Sequence, residues 1–432
     1  MEGRRRTHKR KICLDADDPS PPSSIPRPRR PPEWSPPPLS LPPSRLPSTL
    51  YSSIFTMASK ALRSCLLRRS QASSSSTATM QQQRGMAIPV DPLARFRQLA
   101  NSTPSDERPR VLITGSLGQL GRGLATMLRF MYGEDSVVMT DIRKVRADET
   151  DVCNYHFLDI LNEGAIDEAV VNGRVTTLIH FSALLSAVGE QNVPLALKVN
   201  CQGVQNILEV AKRHSLKVFI PSTIGAFGPE TPRVDTPDIT VQRPKTIYGV
   251  SKVYAELLGE YYHSRFGVDF RSLRFPGIIS ATKPGGGTTD YAIKIFYDAL
   301  KDGHHVCYLR PDTRLPMMYD TDCTASVLFF LAAQSSQLSM RTYNVTGFSF
   351  TPEEIAASIR KFMPDFRITY EICPMRQRIA DSWPQSLNDN NARADWAWKN
   401  DYGLDQTTEI MMALIKREMA REKGEAPKAV IA

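Results

Sequence analysis

Val111-Leu112-Ile113-Thr114-Gly115-Ser116-Leu117-Gly118-Gln119-Leu120-Gly121 reads as an apolar strand, a glycine-rich turn and the start of a helix. The glycines fall in the order G-x-x-G-x-x-G. Gly115 would permit the tight turn, Gly118 would let the backbone approach a pyrophosphate, and Gly121 would let the helix pack closely. The pyrophosphate would then sit at the positive helix N-terminus, among the N–H groups of Ser116, Leu117, Gln119 and Leu120. A glycine triplet alone is a weak signal. Here a second apolar run follows and ends at Asp141, 20 residues after Gly121. A carboxylate at that distance accepts hydrogen bonds from the adenosine ribose, which completes a dinucleotide site. Asp141 would repel a 2′-phosphate, so NAD is favoured over NADP. Arg143 is the complication: it could receive that phosphate, lie against the adenine, or point to solvent. Ile142 lies between the two. Asp159-Ile160 is the expected adenine contact, with Asp159 as a plain helix N-cap the alternative reading.

Working outward, short β-branched runs alternate with segments of helical spacing. Val111–Thr114, Ser136–Asp141, Thr176–His180, Lys217–Pro221 and Asp269–Arg274 read as buried parallel strands. Leu120–Tyr132, Asn162–Asn172, Leu195–His214 and Thr246–Phe266 read as helices between them. This alternation predicts an α/β fold with a doubly wound parallel sheet, of the Rossmann type, over residues 108–280. After Pro276 the rhythm loosens, with helices near Tyr291–Lys301, Asp322–Ala333, Pro352–Phe362 and Gln406–Arg421 and strands near Val306–Leu309, Thr342–Val345 and Arg367–Glu371. That predicts a smaller α/β substrate lobe over 281–425, interleaved with the first, and a tail over 426–432.

The charge lies outside this pattern. Residues 1–90 hold 15 Lys and Arg against 5 Asp and Glu, whereas 91–432 hold 39 against 40. The excess basicity is in the leader, so the sequence offers no folded basic surface for nucleic acid. Residues 1–56 carry 13 of the 32 prolines, a composition that cannot bury a core. Residues 57–90 contain no acid, five basic residues and the run Ser73–Ser76, with Leu62, Cys65 and Leu66 on one helical face. That is the composition of an organelle transit peptide, with a mitochondrion favoured over a plastid and an undirected disordered tail the alternative; a linker would run to 107, with Met57 a candidate start. No apolar run reaches the ~18 residues of a membrane helix. The seven cysteines are scattered without a Cys-x-x-Cys pair, and the one adjacent histidine pair, His304–His305, has no ligand-spaced neighbours. No metal site is expected.

Tyr248-Gly249-Val250-Ser251-Lys252 places a phenol and an ammonium four residues apart, on one face of a helix. The lysine would lower the tyrosine pKa, helped by an oxidised nicotinamide, so that the phenolate could take a proton from a substrate alcohol. Lys252 could also hold the nicotinamide ribose. A lone Tyr-x-x-x-Lys arises often by chance. It gains weight from Ser222-Thr223, directly after Lys217–Pro221, at a strand end where open α/β sheets bind ligands. Thr223 would orient the substrate hydroxyl, or serve only as a turn hydroxyl.

The glycine turn, His180-Phe181-Ser182-Ala183, Asn200, Ser222-Thr223 and Tyr248-x-x-x-Lys252 resemble, in order and spacing, the extended short-chain dehydrogenase/reductase superfamily. Most of its members act on nucleotide sugars. Those usually carry an Asn where this chain has Gly277, and Arg-x-x-x-His-Val where it has Leu315 and Tyr319; Arg314 stands one residue from the missing arginine. Longer phrases are similar to the mitochondrial-type threonine dehydrogenase family: Ser182–Glu190, Pro221–Gly228, Thr246–Lys252, Pro276–Ser280, Gly285–Tyr291 and Arg314–Tyr319. The resemblance covers about 108–415 and implies oxidation of L-threonine to L-2-amino-3-oxobutyrate with NAD by a homodimer paired through Leu195–His214 and Thr246–Phe266. It implies Ile278 beside the cofactor. The threonine zwitterion would be held by Ser186 and by the Gly285–Asp290 loop, with Thr288, Thr289 and Asp290. The alternatives are a nucleotide-sugar epimerase or dehydratase, and a non-catalytic NAD(H)-binding relative.

Overall fold

The structure, a computed structural model, describes residues 93–146, 149, 152–282 and 287–422. The expected extension 1–56, most of the expected leader and linker, Gly285, Gly286 and the tail 426–432 lie outside the described residues. Among the described residues, thirteen strands follow in chain order. They are β1 Val111–Thr114, β2 Val137–Asp141, β3 Tyr155–Phe157, β4 Thr177–His180, β5 Lys217–Phe219, β6 Ser222–Thr223 and β7 Asp269–Phe275, then β8 Gly277–Ile279, β9 His304–Cys307, β10 Leu315–Tyr319, β11 Thr342–Asn344, β12 Phe348–Phe350 and β13 Arg367–Tyr370.

The main sheet runs β11-β7-β5-β4-β1-β2-β3, with β6 also beside β7 and every pairing parallel. This is the doubly wound parallel sheet that the alternation predicts. The chain winds from β1 outward to β3, then crosses to β4 on the other side of β1. The crevice at the C-terminal ends of β1 and β4 is therefore the switch point where such sheets bind ligands. Both faces of β1 are covered: Ile113 packs with Leu124, Met127 and Leu328, and Leu112 with Val138, Leu178 and Ile207. That accounts for its unbroken apolar run. At Pro276 the chain leaves the main sheet and enters β8, which pairs with β10 in a second sheet ordered β12-β10-β8. The third sheet is the pair β13-β9.

Two elements depart from the sequence reading. Thr342–Val345, expected in the second lobe, contributes β11 to the main sheet, with Tyr343 opposite Leu273. Tyr343 is fully buried against Phe330 and Trp396, a partnership distant in sequence. Ala94–Ser102, expected within the linker, is a helix. Its Phe96 is fully buried and stacks on Phe329 at 5.9 Å between ring centroids, while Arg95 reaches Asp401 at 3.1 Å. One aromatic among arginines and glutamine is too short a pattern to announce a docked helix.

Candidate active site

The turn after β1 is shaped for close backbone packing. Gly115 has φ +67°, in the left-handed region, and a Cβ there would lie 2.6 Å from the Ser182 nitrogen. A Cβ on Gly121 would lie 2.7 Å from both the Gly115 oxygen and the Ser116 Cα, so Gly121 packs against the turn itself. Gly118 is the N-cap of the Gln119–Tyr132 helix and supplies no side chain to its orphan N–H groups. Gly118 and Gln119 are exposed, Leu120 is half-buried, and Leu117 and Ser116 are buried. Among the described residues, the Ser116 hydroxyl has no hydrogen-bond partner. Gln119 donates to the Ser280 hydroxyl at 2.6 Å, linking the turn to the end of β8. An uncapped helix N-terminus, an unpartnered hydroxyl and a carboxylate beside them fit a dinucleotide.

That carboxylate is Asp141, at the end of β2. It accepts from the Leu117 N–H and the Arg143 N–H, both at 3.1 Å. Arg143 does not point freely to solvent: it forms a two-pronged pair with Glu149 at 2.8 and 2.9 Å. Hydrogen bonding by Arg143, then by the Arg146 N–H, holds the Glu149 carboxyl down to about 2. Ile142 is exposed. Asp159 accepts from the Leu161 N–H at 2.9 Å, but the N-cap of the Glu163–Gly173 helix is Asn162, whose side chain accepts from Ala165. Ile160 turns its side chain inward against Gly203, and its carbonyl accepts from the buried Asn206 at 2.9 Å.

Thr223, Tyr248 and Lys252 come together beyond the end of β5. Thr223 caps the turn Ile224–Ala226 by accepting from the Gly225 N–H at 3.1 Å. Thr246 caps the Ile247–Phe266 helix, accepting from Gly249. A Cβ on Gly249 would strike the Gly225 oxygen at 2.2 Å, so the helix abuts this turn. Burial pushes the Tyr248 phenol up to about 12, and the Thr223 hydroxyl, which flanks Gly225 together with the Tyr248 ring, works against that rise. The expected lowering by Lys252 is therefore not met by the protein's own groups. The Lys252 Nζ lies 5.7 Å from the Tyr248 ring centroid and donates to the Pro221 carbonyl at 2.7 Å. Burial pushes this lysine down to about 8, opposed by Glu256.

Sequence reasoning assigned no role to the groups that brace this cluster. Glu256 is buried and accepts from Ser222, from Gln242 at 2.9 Å, and from Arg274 at 3.0 and 2.9 Å. Its position four residues after Lys252 was the available signal. Asn200 holds both the N–H and the carbonyl of Leu184, at 2.8 and 3.0 Å, and donates to Ser251 at 3.2 Å. It sits in the π-helical stretch Lys198–Gln202, a distortion frequent at functional sites. His180 ends β4 with its Nδ1 on Thr114 at 2.8 Å, and burial holds it neutral, down to about 3.

Ser186, half-buried, opens the helix Ser186–Gln191. Thr288 is buried, and Thr289 lies against Gly277, whose missing Cβ makes room for Met317. Asp290 accepts from the Gly287 N–H at 2.8 Å and precedes the helix Tyr291–Asp302. Ile278 is half-buried in β8, opposite Met318.

A parallel switch-point crevice with a glycine turn on one side and a Thr-Tyr-Lys cluster on the other defines a class, and residues 111–346 match the NAD dependent epimerase/dehydratase family. The chain belongs to that family, whose members use NAD. Within it, the chain is 54% identical over 326 residues to mitochondrial L-threonine 3-dehydrogenase of Bos taurus, covering 75% of this chain and 86% of that one. The crystal structure of L-threonine dehydrogenase from Phytophthora infestans superposes with a TM-score of 0.69 at 49% identity, covering 72% of this chain and 99% of that one. A nucleoside-diphosphate-sugar epimerase from Agrobacterium tumefaciens gives a TM-score of 0.64 at 20% identity, covering 72% and 95%, and shares the fold.

Proposed function

We propose that this chain oxidises L-threonine at its secondary alcohol to L-2-amino-3-oxobutyrate, in threonine catabolism toward glycine. The reading rests on the placement of Thr223 and Tyr248 side by side against Gly225, at the switch point of a chain 54% identical to an L-threonine 3-dehydrogenase. Thr223 holds the substrate hydroxyl. Tyr248 takes its proton as general base while hydride leaves the same carbon. NAD, when bound, accepts that hydride and brings a positive charge beside the phenol. Burial holds Tyr248 near 12, and a positive charge beside the phenol would bring it down toward the range in which it can accept a proton. Lys252, fixed by the Pro221 carbonyl, would support the phenolate and would hold the nicotinamide ribose.

The turn Gly115–Gly121 would hold the pyrophosphate, Asp141 the adenosine ribose, Asp159 and the Ile160 backbone the adenine, and Ile278 the nicotinamide end. Ser186, Thr288, Thr289 and Asp290 would receive the ammonium and carboxylate of threonine. Residues 108–280 would form the NAD-binding part, and 281–425 the part that closes on substrate. Leu185, Val188, Leu195, Val250, Leu257 and Tyr261 are exposed on or beside helices that pack together, which supports a homodimer over this face. Light scattering at the mass of one chain would overturn the dimer. The basic leader supports mitochondrial matrix targeting, and a fluorescent fusion of residues 57–95 that stayed cytosolic would overturn it.

The deciding assay follows NADH absorbance with L-threonine, L-serine, L-allo-threonine and UDP-sugars. Turnover of L-threonine is expected. Because an epimerase or dehydratase returns the hydride and leaves no net NADH, the UDP-sugar reactions are also read by product analysis: conversion of a UDP-sugar alone would instead support the epimerase reading, and tight NAD binding without turnover a non-catalytic one.

A further inference from the structure

Beside the ribose carboxylate Asp141 lies a second, nearly buried carboxylate surrounded by arginines. The Glu149 side chain is 5% exposed. One of its oxygens accepts from Arg122 and from Arg143 at 2.8 Å. The other accepts from Arg143 at 2.9 Å and from the Arg146 N–H at 2.7 Å. The cluster is tied to the cofactor turn at two points. Arg122 donates to the Leu117 carbonyl at 3.2 Å, and the Arg143 N–H reaches Asp141.

We propose that Glu149 selects NAD over NADP by occupying, with its own carboxylate, the arginine cluster that a 2′-phosphate would otherwise engage. The inference deepens the reading that Asp141 meets the adenosine ribose, and rests on it. Planar guanidinium groups are the usual partners of a sugar phosphate because they bind two oxygens at once. Arg143 is the arginine placed for that task, two residues after Asp141, yet both of its terminal nitrogens are committed to Glu149. A phosphate arriving there would have to displace a carboxylate that has almost no water to fall back on. Withdrawing Arg143 would strip that carboxylate of two of the four hydrogen bonds that hold it, a loss a phosphate would have to offset. Asp141 adds like-charge repulsion at the ribose itself. Rejection is thus built from two carboxylates, one that repels the phosphate and one that removes its partner.

Binding of NADH and NADPH to the purified full chain, followed by cofactor fluorescence, separates these contributions. Asp141→Ala should weaken NADH by about tenfold or more, the order of one charged hydrogen bond, and improve NADPH little. Adding Glu149→Gln should then strengthen NADPH by about tenfold, and adding Arg143→Ala to that pair should remove the gain. With Glu149 intact, Arg143→Ala in the Asp141→Ala chain should change NADPH affinity by less than about twofold, because its guanidinium is already engaged. This last comparison stands even if Glu149→Gln unfolds its loop. A tenfold loss in it, or a folded Asp141→Ala/Glu149→Gln chain with no gain for NADPH, overturns the proposal. Unchanged NADH affinity in Asp141→Ala would instead overturn the ribose reading beneath it.

Discussion

The Lys252 ammonium donates to the main-chain carbonyl of Pro221 at 2.7 Å, which ties the Ile247–Phe266 helix to the segment that runs from β5 into Thr223. A charged donor to a carbonyl inside the fold is a strong, directional link. It fixes where the lysine can act, and it sets the tyrosine beside the threonine rather than elsewhere along the helix.

Tyr248→Phe keeps the ring and deletes the hydroxyl. Turnover should fall by about 10²–10⁴, the usual contribution of a general base. NADH affinity, read by fluorescence, should stay near normal because the glycine turn and Asp141 are untouched. Retention of more than about a tenth of the turnover would move the base elsewhere, with Asp290 the next candidate.

Burial places the Lys252 pKa near 8, against an ordinary 10.5. Between those values the unfolded chain holds a proton that the folded chain has released, so stability rises with pH across that window; below it the cost of the buried charge is fully present. Met has no such dependence. Urea unfolding of wild type and Lys252→Met should therefore diverge in favour of wild type, by about 1–3 kcal/mol, from about pH 7 to about pH 10.5. A difference flat across that range would mean that Lys252 keeps its proton. The same variant should lose both turnover and NAD affinity.

Phe96 has no exposed surface and stacks on Phe329. Phe96→Ala should cost about 3–5 kcal/mol in denaturant unfolding. A chain beginning at residue 93 should keep wild-type stability, and one beginning at 103 should lose about as much as Phe96→Ala. Equal stability of the two truncated chains would show that the helix contributes nothing.

Gly121 and Gly123 share one helix and differ in surroundings. A Cβ at 121 meets backbone at 2.7 Å, whereas one at 123 finds only the Thr324 hydroxyl at 3.6 Å. Gly123→Ala should leave NADH affinity intact and stabilise the chain by about 0.5–1 kcal/mol through helix propensity. Gly121→Ala should displace the turn and weaken NADH by more than about tenfold. Similar behaviour of the two variants in both assays would contradict the close packing of the turn.

The legible parts of this chain were those carried by neighbours in sequence. The run Val111–Thr114, the glycine spacing behind it and Asp141 at the end of the next run are local patterns, and they appear where the spacing puts them. Tyr248 and Lys252 share a helix face for the same reason. Other features were not legible because they depend on partners brought from far along the chain. Asn162, not Asp159, caps its helix, although both are good caps by composition. Tyr343 reads as part of a second lobe until Phe330 and Trp396 close over it beside β7.

By itself the sequence determined a doubly wound sheet with a dinucleotide turn, because strand periodicity, helix periodicity and glycine's conformational freedom act over a few residues. Only the tertiary structure decided what the charged groups do. Sequence places Arg143 near a ribose but not in the grip of Glu149, and it places Lys252 near Tyr248 but not on the Pro221 carbonyl. A charge takes its pKa and its partner from the groups packed around it and the water they exclude, and that neighbourhood exists only once the chain has folded.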